Sequence, residues 1–254
     1  MDKIFAIGDI HGNYDLLEKI LSKWNEDEEQ LLFLGDYIDR GPDSLKVLHK
    51  VMELSVEKNA IALSGNHEQI FLYWLKNVET SSEFYFHEKV GGIATINSLF
   101  PTTSFHEKLN TMKMTELADE VRDVFTHEIK FMNKLNKYYV WEPYLFVHAG
   151  IDAKVEDFKD SKDDDFYWIR EEFYAAPHEA KEIVVFGHTP TTNLNEDKSH
   201  RVWVSPCQKK IGIDGGVIHE DGQLHGVVFT KNTNELTVYA AKKDEDVFSY
   251  KVTV

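Results

Sequence analysis

The chain of 254 residues has one cysteine, Cys207. An intrachain disulfide framework and a thiolate zinc cage are therefore excluded. Long apolar runs are missing too. No stretch approaches the roughly 18 residues of a membrane span. The first apolar segment, Ile4–Ile7, is shorter than the core of about 7–15 residues that a signal peptide needs. A cytoplasmic location is the expectation. Positive charge is scarce: 28 Lys+Arg stand against 44 Asp+Glu, a formal charge of −16. That balance argues against nucleic acid and anionic membrane as partners, because phosphate-rich surfaces select basic footprints. Arginine is scarcest, at Arg40, Arg122, Arg170 and Arg201 alone. What the chain does hold is 42% hydrophobic and 13% aromatic residues. That is enough apolar surface to offset the entropy of ordering a folded core.

The first third alternates strands and helices. Ile4–Ile7, Leu31–Leu34 and Ala60–Leu63 read as buried strands. Between them Leu16, Leu17, Ile20, Leu21 and Trp24 fall on one helical face, and Leu45, Leu48, Val51 and Met52 on another. Repetition of strand, loop and helix predicts a parallel sheet with right-handed crossovers. Glu26–Glu29 reads as a solvated acidic loop. The segment from about 68 to 139 reads as mainly helical and as an insertion in the same domain. Strands return at Tyr144–Val147 and Ile183–Phe186, and the tail from Lys210 is β-like. No repeat or low-complexity tract interrupts the chain.

Five short segments each follow an apolar strand and open with a turn rich in metal-type ligands. They are Gly8-Asp9-Ile10-His11-Gly12, Gly35-Asp36-Tyr37-Ile38-Asp39-Arg40-Gly41, Gly65-Asn66-His67-Glu68, Val147-His148-Ala149-Gly150 and Phe186-Gly187-His188-Thr189. In open α/β sheets, ligands collect beyond the carboxyl ends of strands. Turns spread over nearly 180 residues could therefore meet. Their glycines allow sharp turns and close approach. The donors Asp9, His11, Asp36, Asn66, His148 and His188 mix imidazole with oxygen and hold no sulfur. Such a set suits Mn, Fe or Zn. Six donors suit two ions, provided one carboxylate bridges, and a two-metal site clamps both oxygens of a displacement at phosphorus.

Together these motifs resemble the metallophosphoesterase superfamily, and in particular the bacterial and phage type of serine/threonine phosphoprotein phosphatase. The resemblance covers about residues 4–216. It implies an α/β fold: one calcineurin-like domain over residues 1–254, built as an α/β/β/α sandwich with a helical insertion at about 68–139. It implies two divalent ions, Mn by preference with Fe or Zn as alternatives. Asp9 and His11 would bind the first ion, Asp36 would bridge, and Asn66, His148 and His188 would bind the second. His67 would be the general acid, with Asp39 orienting it. Arg40, Arg170 and Asn66 would hold phosphate oxygens, the arginines through their planar forks.

The implied reaction is hydrolysis of a phosphomonoester by a dinuclear-metal-activated hydroxide, with phosphoserine or phosphothreonine on proteins as the first substrate. A small phosphoester is the other partner class the resemblance allows. The late motifs His148-Ala149-Gly150 and Gly187-His188-Thr189-Pro190, and the element Gly91-Gly92-Ile93-Ala94-Thr95, resemble a bacterial group that also includes symmetrical diadenosine tetraphosphate hydrolases. That is the alternative, and Tyr37, Trp74, Tyr85, Phe86 or Trp168 could then stack a base. A silent scaffold would be expected to lack ligands, and here every position is filled. Gly91-Gly92 reads more simply as a turn than as a site contact. Asp214-Gly215-Gly216 fits either a site wall or a tight turn. The histidines outside the motifs, His219 and His225 among them, read as ordinary, and Cys207 as inert. Oligomeric state leaves no mark in the sequence.

Overall fold

A computed structural model describes residues 1–254. Its strands are β1 (Lys3–Ile7), β2 (Glu29–Phe33), β3 (Ile61–Ala62), β4 (Tyr138–Trp141), β5 (Tyr144–Val147), β6 (Ile183–Phe186), β7 (Trp203–Val204), β8 (Lys210–Gly212), β9 (Leu224–Thr230), β10 (Glu235–Ala241) and β11 (Phe248–Thr253). They form two sheets. One has six strands in the order β11-β10-β9-β1-β2-β3, and the other has five in the order β4-β5-β6-β8-β7. β1, β2 and β3 run parallel, as the alternating pattern predicts, and so do β5, β6 and β8. The tail strands β9, β10 and β11 pair antiparallel and join the N-terminal sheet at β1.

β1 shows how the layers arise. Successive side chains on a strand point to opposite faces. Ile4 and Ala6 enter the core between the two sheets, with Leu32, Phe146, Val185, Ile211 and Phe229. Phe5 and Ile7 enter the core on the outer face, with Leu31 and Phe33. Helices α1 (Tyr14–Leu21) and α2 (Ser44–Glu57) cover that face through Leu17, Ile20, Val47, Leu48 and Val51. Six further helices share the same core: α3 (Asn66–Lys76), α4 (Val78–Tyr85), α5 (Gly92–Leu99), α6 (Phe105–Leu109), α7 (Met114–Val124) and α8 (Thr126–Met132). The far face of the second sheet packs Leu145, Val147, Val184 and Phe186 against Phe158, Phe166 and Phe173. The last two lie on the short helices α9 (Asp165–Trp168) and α10 (Glu171–Tyr174). The result is the expected α/β/β/α sandwich. No helix is long and apolar enough to cross a membrane.

Three details depart from the sequence reading. The Glu26–Glu29 run is not wholly a solvated loop, because Glu29 opens β2 and is buried. Its carboxylate accepts the Asn25 N–H, while its carbonyl takes the Trp24 indole N–H at 2.9 Å. That contact holds Trp24 beyond the end of α1. β4 lies at the end of the stretch read as helical, and β7 has only two residues. Both are edge strands, of four and two residues, that pair with the next strand in the chain and are too short to show a period.

Candidate metal centre

The turns after β1, β2, β3, β5 and β6 meet in space through their own backbone. The Ile10 and His11 amides donate to the Asp36 carbonyl at 3.0 and 2.8 Å, and the His188 amide donates to the Asp9 carboxylate at 2.9 Å. Five of the residues concerned, His11, Asp36, Asp39, Arg40 and His188, have φ between 45° and 70°. A left-handed backbone costs free energy for any residue with a Cβ, of order 1–3 kcal/mol each. Such strain persists only where the surroundings over-determine it.

Two glycines make the approach possible. A Cβ on Gly65 would fall on Asp36 Oδ1, and a Cβ on Gly187 would fall on Asp9 Oδ1. Glu68, fully buried, ties the second and third turns together. Its Oε2 accepts the Gly65 and Asp36 N–H groups at 2.9 Å and its Oε1 accepts the Tyr37 N–H at 2.8 Å. Burial and then the Asp36 charge push its pKa up to about 7, while those N–H groups pull it back. The sequence reading gave Glu68 no role, although it closes the third motif.

Asp36 stands at the centre. His11 donates from Nδ1 to the Ile38 carbonyl, and His148 from Nδ1 to the Leu34 carbonyl, both at 2.9 Å. Burial lowers the pKa of both rings, so both are neutral and turn an Nε2 lone pair inward. His11 Nε2 lies 3.4 Å from Asp36 Oδ2, and His148 Nε2 lies 3.4 Å from Asp36 Oδ1. Each carboxylate oxygen thus faces an imidazole acceptor, and Oδ1 also accepts the His67 backbone N–H at 3.1 Å. Asn66 Oδ1 sits 2.9 Å from His148 Nε2 and 2.9 Å from His188 Nδ1, while His188 Nε2 is buried without a partner. Acceptors facing acceptors on both sides of one carboxylate are reconciled by cations. Two groups of donor atoms, each within 4.8 Å of one another, share Asp36: His11–Asp36–His67 and Asp36–His148–His188. The residues fit two divalent ions with Asp36 between them, in a sulfur-free set that suits Mn, Fe or Zn. Of the other two expected ligands, Asn66 adjoins the second group through its Oδ1, and Asp9 is in neither group. Its carboxylate is turned onto the His188 amide, and burial, with Asp214 and Asp36 nearby, pushes its pKa well up.

His67 Nδ1 lies 2.8 Å from Asp39 Oδ2, leaving Nε2 toward the cavity, 4.0 Å from Asp36 Oδ2. Burial lowers its pKa, but the Asp36 charge and the Asp39 hydrogen bond outweigh this and raise it. Asp39 is itself held. Its other oxygen accepts Thr95 Oγ1–H at 2.6 Å and Tyr85 O–H at 3.1 Å, and its amide donates to Thr95 Oγ1 at 2.9 Å. The Gly91-Gly92 element is therefore more than a turn. The Gly91 carbonyl accepts the Arg40 amide, and α5, which begins at Gly92, carries Thr95 to Asp39.

Arg40 donates to His11 Nε2 at 2.8 Å and Arg170 donates to the His188 carbonyl at 2.8 Å. Both line a cavity of about 190 Å³ with His11, Asp36, Asn66, His67 and His188. Asp214 forms both wall and turn: it lines this cavity, and its Oδ1 accepts the Gly216 N–H at 2.8 Å. Burial, resisted by that N–H, pushes its pKa up to about 6. Ile218 and His219 stand on the rim, which no motif announced. Of the aromatics considered for base stacking, Tyr37, Trp74 and Tyr85 are fully buried and unavailable. Trp168 is 41% exposed and Phe86 is half-buried.

The family model described as calcineurin-like phosphoesterase matches residues 2–219. The chain is 26% identical over 211 residues to an asymmetrical bis(5'-nucleosyl)-tetraphosphatase of Oceanobacillus iheyensis, covering 74% of this chain and 77% of the relative. It is 48% identical over 66 residues to a symmetrical bis(5'-nucleosyl)-tetraphosphatase of Legionella pneumophila, covering 25% of this chain and 23% of the relative. It is 44% identical over 71 residues to serine/threonine-protein phosphatase 1 of Salmonella typhimurium, covering 27% of this chain and 31% of the relative. The last two matches thus span less than a third of those proteins' length.

Proposed function

The chain belongs to the calcineurin-like phosphoesterase family, and from that premise we propose that it is a metal-dependent hydrolase of dinucleoside tetraphosphates. The observation that carries the substrate is the 211-residue likeness to a bis(5'-nucleosyl)-tetraphosphatase, which extends over about three quarters of both chains. The protein-phosphatase reading has only partial matches: 71 residues of the Salmonella typhimurium enzyme, and 156 residues that cover 27% of a putative serine/threonine-protein phosphatase of Caenorhabditis elegans. The reaction itself is supported by the donors gathered around Asp36 and by the two arginines beside them. We take residues 1–254 as one domain, with about 68–139 inserted, acting in the cytoplasm and preferring Mn.

His11, Asp36, Asn66, His148 and His188 would hold the ions, with Asp9 positioning His188 through its amide. Two bound ions would supply positive charge for the phosphate oxygens and a water of lowered pKa. Arg40 and Arg170 reach the same cavity from opposite neighbours, His11 and His188. Their guanidinium groups would bind the equatorial oxygens as charge develops. His67 keeps a proton on Nε2 while Asp39 takes Nδ1–H, and it would deliver that proton to the leaving oxygen. In an acidic protein, this local positive charge admits a phosphate chain at the site while the surroundings disfavour a long polyanion.

The test is side-by-side turnover of diadenosine tetraphosphate and a phosphoserine peptide with Mn added. A higher kcat/KM for the dinucleotide is expected. Preference for the peptide would restore the protein-phosphatase reading. Chromatography of the products would separate two molecules of ADP from ATP plus AMP.

A further inference from the structure

The cavity at the metal centre, about 190 Å³, has room for phosphates and none for a nucleoside, since sites for drug-sized ligands occupy roughly 300–1,000 Å³. A second, open groove of about 1180 Å³ adjoins it. The two share Arg40, Val217, Ile218 and His219, so one leads directly into the other. On one side the groove is walled by Phe86 and by Ile93 and Ala94 on α5. Ile218 lines the groove and the metal-centre cavity at their junction and is 41% exposed, an apolar side chain left in water beside a polar site. Lys19, Lys89, whose carbonyl accepts from the Arg40 guanidinium, and Lys243, on the turn after β10, join Arg40 as positive charge. Asp15, Asp43, Glu88, Glu220 and Asp244 line the same groove. Positive and negative groups are therefore nearly balanced. That suits a neutral ring with polar edges better than a run of phosphates.

We propose that this groove seats one nucleoside of the dinucleoside tetraphosphate. The base would lie against Phe86, Ile93 and Ile218, and the phosphates would enter the metal centre past Arg40. The inference rests on the proposed substrate and adds where that substrate is recognised.

Two variants test it, Ala94→Trp, which fills the groove, and Ile218→Ser, which strips its apolar shoulder at an exposed position that leaves folding intact. The readout is the ratio of kcat/KM for diadenosine tetraphosphate to kcat/KM for p-nitrophenyl phosphate, with Mn present. We expect this ratio to fall about tenfold in Ala94→Trp and about fivefold in Ile218→Ser, mainly through KM for the dinucleotide. An unchanged ratio in wild-type-like, folded variants would overturn the groove assignment and leave the proposed activity standing. Wild-type protein that turns over the phosphopeptide but not the dinucleotide would overturn both. Should Ala94→Trp fail to fold, Ile218→Ser alone decides.

Discussion

Replacing Thr95 with valine removes one hydroxyl, keeps the shape, and reaches the site only through Asp39. The hydroxyl donates to Asp39 Oδ1 at 2.6 Å and accepts the Asp39 N–H at 2.9 Å. Thr95 is 2% exposed, so no water replaces it. Asp39 would keep the Tyr85 hydroxyl on the same oxygen and Ser44 Oγ on its amide at 3.1 Å each. Neither group is stranded, but a bond to a carboxylate is worth about 1.5–3 kcal/mol. The expected loss is therefore about 2 kcal/mol in urea unfolding, with the m-value unchanged. The functional effect follows from geometry. A looser Asp39 holds the His67 ring less firmly, so turnover of poor leaving groups should fall at least several-fold, and that of p-nitrophenyl phosphate much less. Thr95→Ser keeps both bonds and should recover most of the turnover. If Thr95→Val costs under about 0.5 kcal/mol and leaves the leaving-group dependence untouched, Asp39 is not held in the way described.

Asp39→Asn should act in the same direction and more strongly, lowering kcat for phenyl phosphate, a poor leaving group, at least tenfold while bound Mn per chain stays at the wild-type level; lost metal would mean the pair is structural. Gly187→Ala places a methyl on Asp9 Oδ1, so Asp9 and the His188 turn must move, and calorimetric Mn affinity should drop at least tenfold; wild-type affinity would refute the close-packing argument. His225, fully buried on β9, donates from Nδ1 to the Ile213 carbonyl, and burial pushes its pKa down to about 4. An unfolded histidine near 6.5 takes a proton that the folded one refuses, so stability is lost as pH falls from about 6.5 to 4. Between pH 7 and 4.5 this one group accounts for about 2–3 kcal/mol, and the wild type should lose that much more than His225→Gln over the same window in urea titrations. Equal losses in the two proteins would show that His225 titrates normally.

Much of the fold was legible because β1, β2, β5 and β6 are short apolar runs cut off by Gly-Asp, Gly or His turns, and the helical faces keep their period. β4 and β7 were not, since edge strands of two to four residues bury too little to impose an alternation. The donors of the centre were legible for a related reason. Each follows a buried strand, and strand ends converge. Thr95 and Tyr85 were hidden because their partner, Asp39, lies 56 and 46 residues away in the chain, and a Thr and a Tyr in helices carry no mark of what they touch.

By itself, then, the sequence determined which side chains could bind metal and phosphate, through residue type and position at strand ends. Tertiary structure decided how they share the work. It set Asp36 between two neutral imidazoles and turned Asp9 onto an amide. It buried three of the five candidate stacking rings and left a groove beside Phe86 and Ile218. These outcomes depend on distances between segments far apart in sequence. They are fixed by the packing of two sheets and their helices, and no local pattern along the chain encodes them.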